Sequence, residues 1–510
     1  MRTGESLYHP HNLFDVLRIP VLGRLLRWRW GRLVIQLPLV LISALLLYDG
    51  FTGPQVGSRN LATVTVWIHY RGLVVLALLL AGNLFCMGCP FTLTRTLARR
   101  LSKRGRRWPK ALRNKWIAIG GLFLIFWLYE WLSLWASPWL TVWVILAYFG
   151  ASFVLEALFT ESPFCKYVCP LGNFNFVYST ISPLQIKARD PAMCKTCVGK
   201  ECVNGSYREN PLVLIDQIQA GAPVTSHTDG PHGVLGCGTL LYVPQIKSNM
   251  DCTFCLDCAR ACPHDNVALA VRPPLRELVN VAAWPKRWDL GFLVISLAFM
   301  GMFNAFGMVS PIYDFLDGVA RITGIQARGI QLLILFLLGN LLAPALLSLG
   351  AAWLSVKFAR TTRPDALRLT FASFAPAFVP IGLGIWVAHY GYHFLTGVLA
   401  IIPVFQNFLL DNHLAVFGTS PNWSLSGIAS LPQIGLFQAV ALVGGYAVSL
   451  IVLLQLASRL YRRRGAARRA ILPWVFLMAA MMLFTLWVLS KPMDMRDISP
   501  LSFIMLPFVR

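Results

Sequence analysis

The chain has 510 residues, of which 56% are hydrophobic and only 13% charged, and its mean hydropathy is +0.60. A soluble domain carries about 25% charged residues, so composition excludes an ordinary soluble enzyme or binding module and points to a membrane protein. The net charge of +23 does not indicate nucleic acid as a partner, because Lys and Arg fall in short blocks between long apolar runs, as in loops that face an anionic cytoplasmic leaflet.

Apolar stretches of spanning length, about 20 residues each, fall near 33–50, 66–88, 116–135, 139–159, 289–308, 329–355, 371–395, 431–457 and 470–490. The expected architecture is an all-α integral membrane protein of about nine transmembrane helices with an inserted hydrophilic block. The first span follows a long basic lead with Arg18, Arg24, Arg27, Arg29 and Arg32. It lacks a small-residue cleavage site, which reads as an uncleaved anchor rather than a signal peptide. Basic loops at 95–115, 356–369 and 459–469 join the N-terminal tail on one side, while the alternate loops are poor in Lys and Arg. That bias sets the N-terminus and the hydrophilic block inside and the C-terminus outside. The expected domains are 1–159 with four helices, 160–288 as the cytoplasmic block, and 289–510 with about five helices.

Twelve cysteines occur, ten of them between Cys165 and Cys262 and the other two at Cys86 and Cys89. Their pairing at C-x2-C and C-x3-C spacing favours metal over disulfides and implies a reducing compartment. NLFCMGCPF places Cys86 and Cys89 at the cytoplasmic end of the second span, and SPFCKYVCPLG places Cys165 and Cys169 after the fourth. In each case the following Pro ends a helix at the membrane edge. Three uses fit these four thiols: a further metal site, a redox-active dithiol, or unliganded structural cysteines.

Within the block, NMDCTFCLDCARACPHDNV carries Cys252, Cys255, Cys258 and Cys262 at C-x2-C-x2-C-x3-C followed by Pro263, a ligand run for a cubane iron–sulfur cluster. Upstream, MCKTCVGKECVNG supplies Cys194, Cys197 and Cys202 as a degraded twin. In a two-cluster ferredoxin each run lends its fourth cysteine to the other cluster. The expected assignment is therefore crossed: Cys194, Cys197, Cys202 and Cys262 for cluster one, and Cys237, Cys252, Cys255 and Cys258 for cluster two. An insertion near 203–236 has pushed Cys237 away from its run, which loop entropy tolerates. The alternative for Cys237 is a lone buried thiol. A zinc site on the second run is the other alternative, but it leaves three cysteines at metal spacing unexplained.

This combination of several spans, membrane-edge Cys–Pro pairs and a cytoplasmic two-cluster block resembles the membrane polyferredoxin family. That family includes NapH-type quinol-oxidising proteins, NosR-type proteins and CcoG-type oxidase-assembly proteins. The resemblance covers about 33–290 and rests on the twelve cysteines. Cys165 and Cys169 match the family pair. Cys86 and Cys89 are one residue short of it, and the first ferredoxin run departs in its third spacing. The helices after Asp289 go beyond what NapH-type proteins carry. The resemblance implies two [4Fe-4S] clusters, a bacterial inner-membrane location, and electron transfer between the quinone pool and a partner redox protein or complex subunit.

His69, His389 and His393 lie toward the outer ends of the second and seventh spans, with His413 in the loop beyond. Ionisable groups at membrane depth are functional candidates. His389 and His393 are one turn apart on one face, so a haem b would need a ligand from another helix, and His69 is the available one. A quinone site and hydrogen-bonded interfacial histidines beside Tyr390 and Tyr392 remain equally open. Glu130 fits either as a proton acceptor from quinol or as a partner of Arg71. His264 fits a role in tuning or shielding a cluster, and His227 and His232 receive no role. No nucleotide-binding glycine motif, serine triad or flavin signature occurs, so substrate chemistry is expected in a partner. The rival expectation is an assembly factor whose edge thiols reduce or pass copper. A transporter with a ferredoxin domain has little behind it, since the spans lack paired mid-membrane charges.

Overall fold

The structure is a computed structural model that describes residues 14–28, 30–101, 106–159, 162–206 and 234–493. Among the described residues, eight helices are long and apolar enough to cross a membrane. They are Gly31–Thr52, Leu61–Ala81, Pro138–Leu158, Trp288–Phe306, Arg328–Phe358, Ala366–Asp411, Leu431–Leu460 and Arg464–Leu489. The stretch expected as a third span forms the helix Trp116–Trp131, of 16 residues. At 1.5 Å per residue it reaches about 24 Å, short of a hydrocarbon core of about 30 Å. The chain then leaves the helix through a turn in which Ser133 takes a left-handed φ of 48°. The count is thus eight full-length candidates and one short apolar helix, rather than nine equal spans.

The chain divides into two compact units. The first comprises Met1–Ser43, Ala77–Asn114 and Tyr148–Ala283. Its hydrophilic part is framed by two antiparallel strands, β1 (Leu184–Ala188) and β2 (Val267–Val271), in the register Leu184↔Val271 to Ala188↔Val267. These strands bracket the cysteine block at its entry and exit. The sheet packs into an apolar cluster with Leu17, Leu26, Met87, Phe254 and Leu256. The basic N-terminal lead is a structural element here. Val271 N–H donates to the Phe14 carbonyl, and Leu269 N–H donates to Asp15 Oδ1 at 3.1 Å. Arg189 Nη2 closes on the other Asp15 oxygen at 2.8 Å. Two turns of helix, Pro20–Arg27, follow.

The second unit comprises Ala44–Leu76, Lys115–Ala147 and Trp284–Arg510. Trp288–Phe306 and Ala366–Asp411 are its central elements, each buried over 94% of its most apolar stretch. A helix that is apolar all round belongs in the middle of a bundle. The second of them is composite: the helices Ala366–Phe374, Phe378–Gly397 and Ile401–Asp411 are joined by tight turns at Ala375–Ala377 and Val398–Ala400. Residues expected in an outer loop are therefore partly helical. Close approach of helices Phe378–Gly397 and Leu431–Leu460 depends on small residues, as membrane helix contacts often do. A Cβ on Gly384 would lie 2.6 Å from the Ala441 carbonyl oxygen.

Just ahead of Trp288, Lys286 is partly buried and its ammonium has no hydrogen-bond partner among the described residues. Burial pushes it down from 10.5 to about 8. Because the folded value lies below the unfolded one, the charged form carries a folding penalty that disappears as pH rises through this interval. Thermal stability should therefore rise between pH 8 and 10.5. Lys286→Met should flatten that rise in a detergent-solution melting series, and an unchanged slope would refute the assignment.

Candidate metal centres

The second expected ligand set comes together. Cys237, Cys252, Cys255 and Cys258 line one small cavity. The rest of its wall is mainly apolar, from Ile186, Leu241, Ile246, Phe254 and Leu256. Phe254 and Leu256 hold left-handed φ values of 53° and 60°, a conformation that bulky residues rarely adopt. The turns they make direct the Phe254 and Asp257 amides onto the sulfurs of Cys252 and Cys255. Asn83 Nδ2 fixes the loop by donating to the Cys252 carbonyl at 2.8 Å.

The first expected set gathers as well. Cys262 is in electrostatic reach of Cys194, Cys197 and Cys202. Asn266 links its two ends, donating its backbone N–H to Cys262 Sγ at 3.4 Å and its Nδ2 to Cys194 Sγ at 3.2 Å. The insertion lies almost wholly outside the described residues, together with His227 and His232. Its two ends are joined through Cys237 N–H, which donates to the Cys202 carbonyl at 3.0 Å.

The edge pairs also meet. Cys165 is in electrostatic reach of Cys169, Cys89 and Cys86. Asn175 Nδ2 donates to Cys86 Sγ at 3.4 Å, which ties the two segments directly. Burial pushes the Cys86 thiol up to about 12 and Cys89 to about 11, and raises Cys165 and Cys169 further. Left free, all four are protonated; a bound metal would remove those protons outright.

A charge network runs beside these sulfurs. Asp257, inside the second run, receives Arg32 Nη1 at 3.0 Å, Arg260 Nη2 at 2.6 Å and Arg95 Nη1 at 3.6 Å. Burial alone would raise its carboxyl, but Arg32, Arg260 and Arg95 together hold it down at about 2. Arg95 also faces Glu156 at 3.7 Å, and Arg32 donates to Thr92 Oγ1 at 2.8 Å.

Comparison with protein-family models, curated proteins and solved structures gives no match to this chain. Among the described residues, no three His, Cys, Asp or Glu side chains converge as a single metal ion would require. A polynuclear cluster asks for something different, since its thiolates bind separate iron atoms.

In the second unit, His389 and His393 lie with ring centroids 5.3 Å apart, and His389 Nε2 faces Met308 Sδ at 3.3 Å. His69 sits in a π-helical turn, Thr65–Tyr70, with Nδ1 3.1 Å from the Val64 carbonyl oxygen and Nε2 2.9 Å from that of Val398. Each ring nitrogen thus faces a carbonyl oxygen, and a neutral imidazole donates to one of the two. Arg71 is buried in a cage of aromatics, 4.6 Å from the Trp67 ring centre, 4.2 Å from Tyr129 and 5.0 Å from Tyr390. Glu130, His389 and His393 are in its electrostatic reach. The asparagines that touch the sulfurs were missed in the sequence, as were Arg32 and Asp257. Asn175, Asp257 and Asn266 are signalled only by adjacency to cysteines, and Arg32, far from any of them along the chain, by nothing local.

Proposed function

We propose that this chain is a membrane-bound iron–sulfur electron-transfer protein of the polyferredoxin type. It passes electrons between the quinone pool and a partner redox protein through two cytoplasmic [4Fe-4S] clusters in a ferredoxin-like block. The observation that carries this reading is the convergence of Cys237, from outside the run, with Cys252, Cys255 and Cys258 on one cavity. That is the crossed ligand pattern of a two-cluster module. The strands before and after the block, the apolar wall and the N–H groups aimed at sulfur support it, since shielding and hydrogen bonds to sulfur tune such clusters. The clusters would supply one-electron chemistry. Cys194, Cys197, Cys202 and Cys262 would hold one of them.

On the membrane side, Arg71, Glu130, His389 and His393 are the groups we assign to the quinone head group, with His69 fixing the backbone rather than binding haem. In the proposed orientation the N-terminus and clusters face the cytoplasm of a bacterial inner membrane. The test is anaerobic reduction of the purified chain by a short-chain quinol, followed by the cluster absorbance. Quinol should bleach the clusters, and Arg71→Gln and His389→Gln should suppress this while dithionite still reduces them. No bleaching by quinol, and no quinol formed from reduced clusters, would sink the mechanism. A sharp haem band in the reduced-minus-oxidised spectrum would overturn the role given to His69. The meeting of four edge thiols favours, as a second reading, a copper-handling assembly factor. Stoichiometric copper on those thiols would select it.

A further inference from the structure

We infer that Cys86, Cys89, Cys165 and Cys169 hold a third, polynuclear iron–sulfur cluster at the membrane edge, an inference that rests on the electron-transfer reading above. The residues come from two separated segments, and each sulfur set is furnished with N–H donors. Asn175 Nδ2 reaches Cys86 Sγ, and Gly172 N–H reaches Cys169 Sγ at 3.2 Å. The Phe91 and Thr92 amides point to Cys89. Hydrogen bonds of this kind stabilise metal-bound thiolate and tune the potential of clusters.

Backbone geometry is arranged alike on both sides. Cys89 and Cys169 each stand immediately before a proline that begins a helical segment, Pro90–Thr92 and Pro170–Tyr178. Each segment thus turns amides toward its cysteine. Cys165 is carried on a π-helical turn, Phe164–Val168, a local widening frequently found at functional sites. Packing at Gly172 is close: a Cβ there would stand 3.1 Å from the Cys165 carbonyl oxygen and 3.4 Å from Cys169 Sγ.

Compensating charge is present too. Arg32 is in electrostatic reach of Cys89 and Cys165 on one side and of Cys255 on the other. A cation placed between two thiol sets offsets the negative charge that a thiolate-bound cluster brings into a buried site. The same position would make the edge centre a neighbour of cluster two. All-thiolate ligation suits iron–sulfur clusters, zinc or Cu(I), so the metal decides the question.

The experiment is iron, sulfide and copper analysis of the full chain purified without oxygen, beside the Cys165→Ser/Cys169→Ser and Cys255→Ser variants. The inference expects about ten to twelve irons per chain instead of about eight, with the excess lost only in the double variant. Should that variant fail to accumulate, the count and the Mössbauer spectrum of the unaltered chain decide alone. A count near eight that the double variant leaves unchanged overturns the third cluster and leaves the two-cluster reading standing. About two to four irons, lost in the double variant and unmoved by Cys255→Ser, would instead overturn the two-cluster reading. Copper in place of iron on the edge thiols overturns the inference in favour of metal handling.

Discussion

Replacing Cys237 with serine should lower iron content by about four atoms per chain, the content of one cubane, and leave the other cluster spectroscopically intact. The expectation comes from the cavity, which Cys237 shares with Cys252, Cys255 and Cys258. If the uninterrupted run Cys252, Cys255, Cys258 and Cys262 instead held one cluster by itself, Cys237→Ser would leave iron unchanged and Cys262→Ser would remove that cluster. In the crossed arrangement Cys262→Ser strikes the other cluster, so the EPR signals lost in the two variants should differ. Two variants that abolish the same signal would refute the crossing.

Asp257→Ala should be the most damaging single substitution outside the cysteines. It strands Arg32 and Arg260, whose side chains are 16% and 7% exposed, and leaves Arg95 with Glu156 alone at 3.7 Å. Breaking a buried ion pair from one side typically costs about 3–5 kcal/mol, because the remaining charge is left uncompensated. Here three cations share the loss. The expected result is a marked fall in folded, detergent-extractable protein, with Asp257→Glu recovering part of it. A melting temperature unchanged from the parent chain would show that water satisfies the arginines and would defeat the argument.

Spacing alone made the grouping of the cysteines legible, since Cys252, Cys255 and Cys258 at their short intervals line one cavity together. Hydropathy made the membrane spans legible. It could not show that Trp116–Trp131 stops short, since the turn at Ser133 is flanked by Leu132, Leu134 and Trp135, which continue the apolar run. Nor could it show that the two edge pairs meet. Their spacings differ, and only the fold brings Asn175 onto Cys86. Nor does the sequence show what Asp15 holds, because its partners Arg189 and Leu269 are far along the chain. Nor does the sequence reveal that the two ring nitrogens of His69 face the Val64 and Val398 carbonyls.

The bond from Leu269 N–H to Asp15 spans 254 residues. During synthesis at roughly 5–20 residues per second, Asp15 is made roughly 13–50 s before the strand it fastens to. Through that interval the amphipathic turns behind it have no sheet to rest on, while the first four apolar stretches are already being delivered to the membrane. The segment is thus a late-closing latch. It can lock only once β2 has been made, so its docking marks the arrival of the strand that follows the cysteine block.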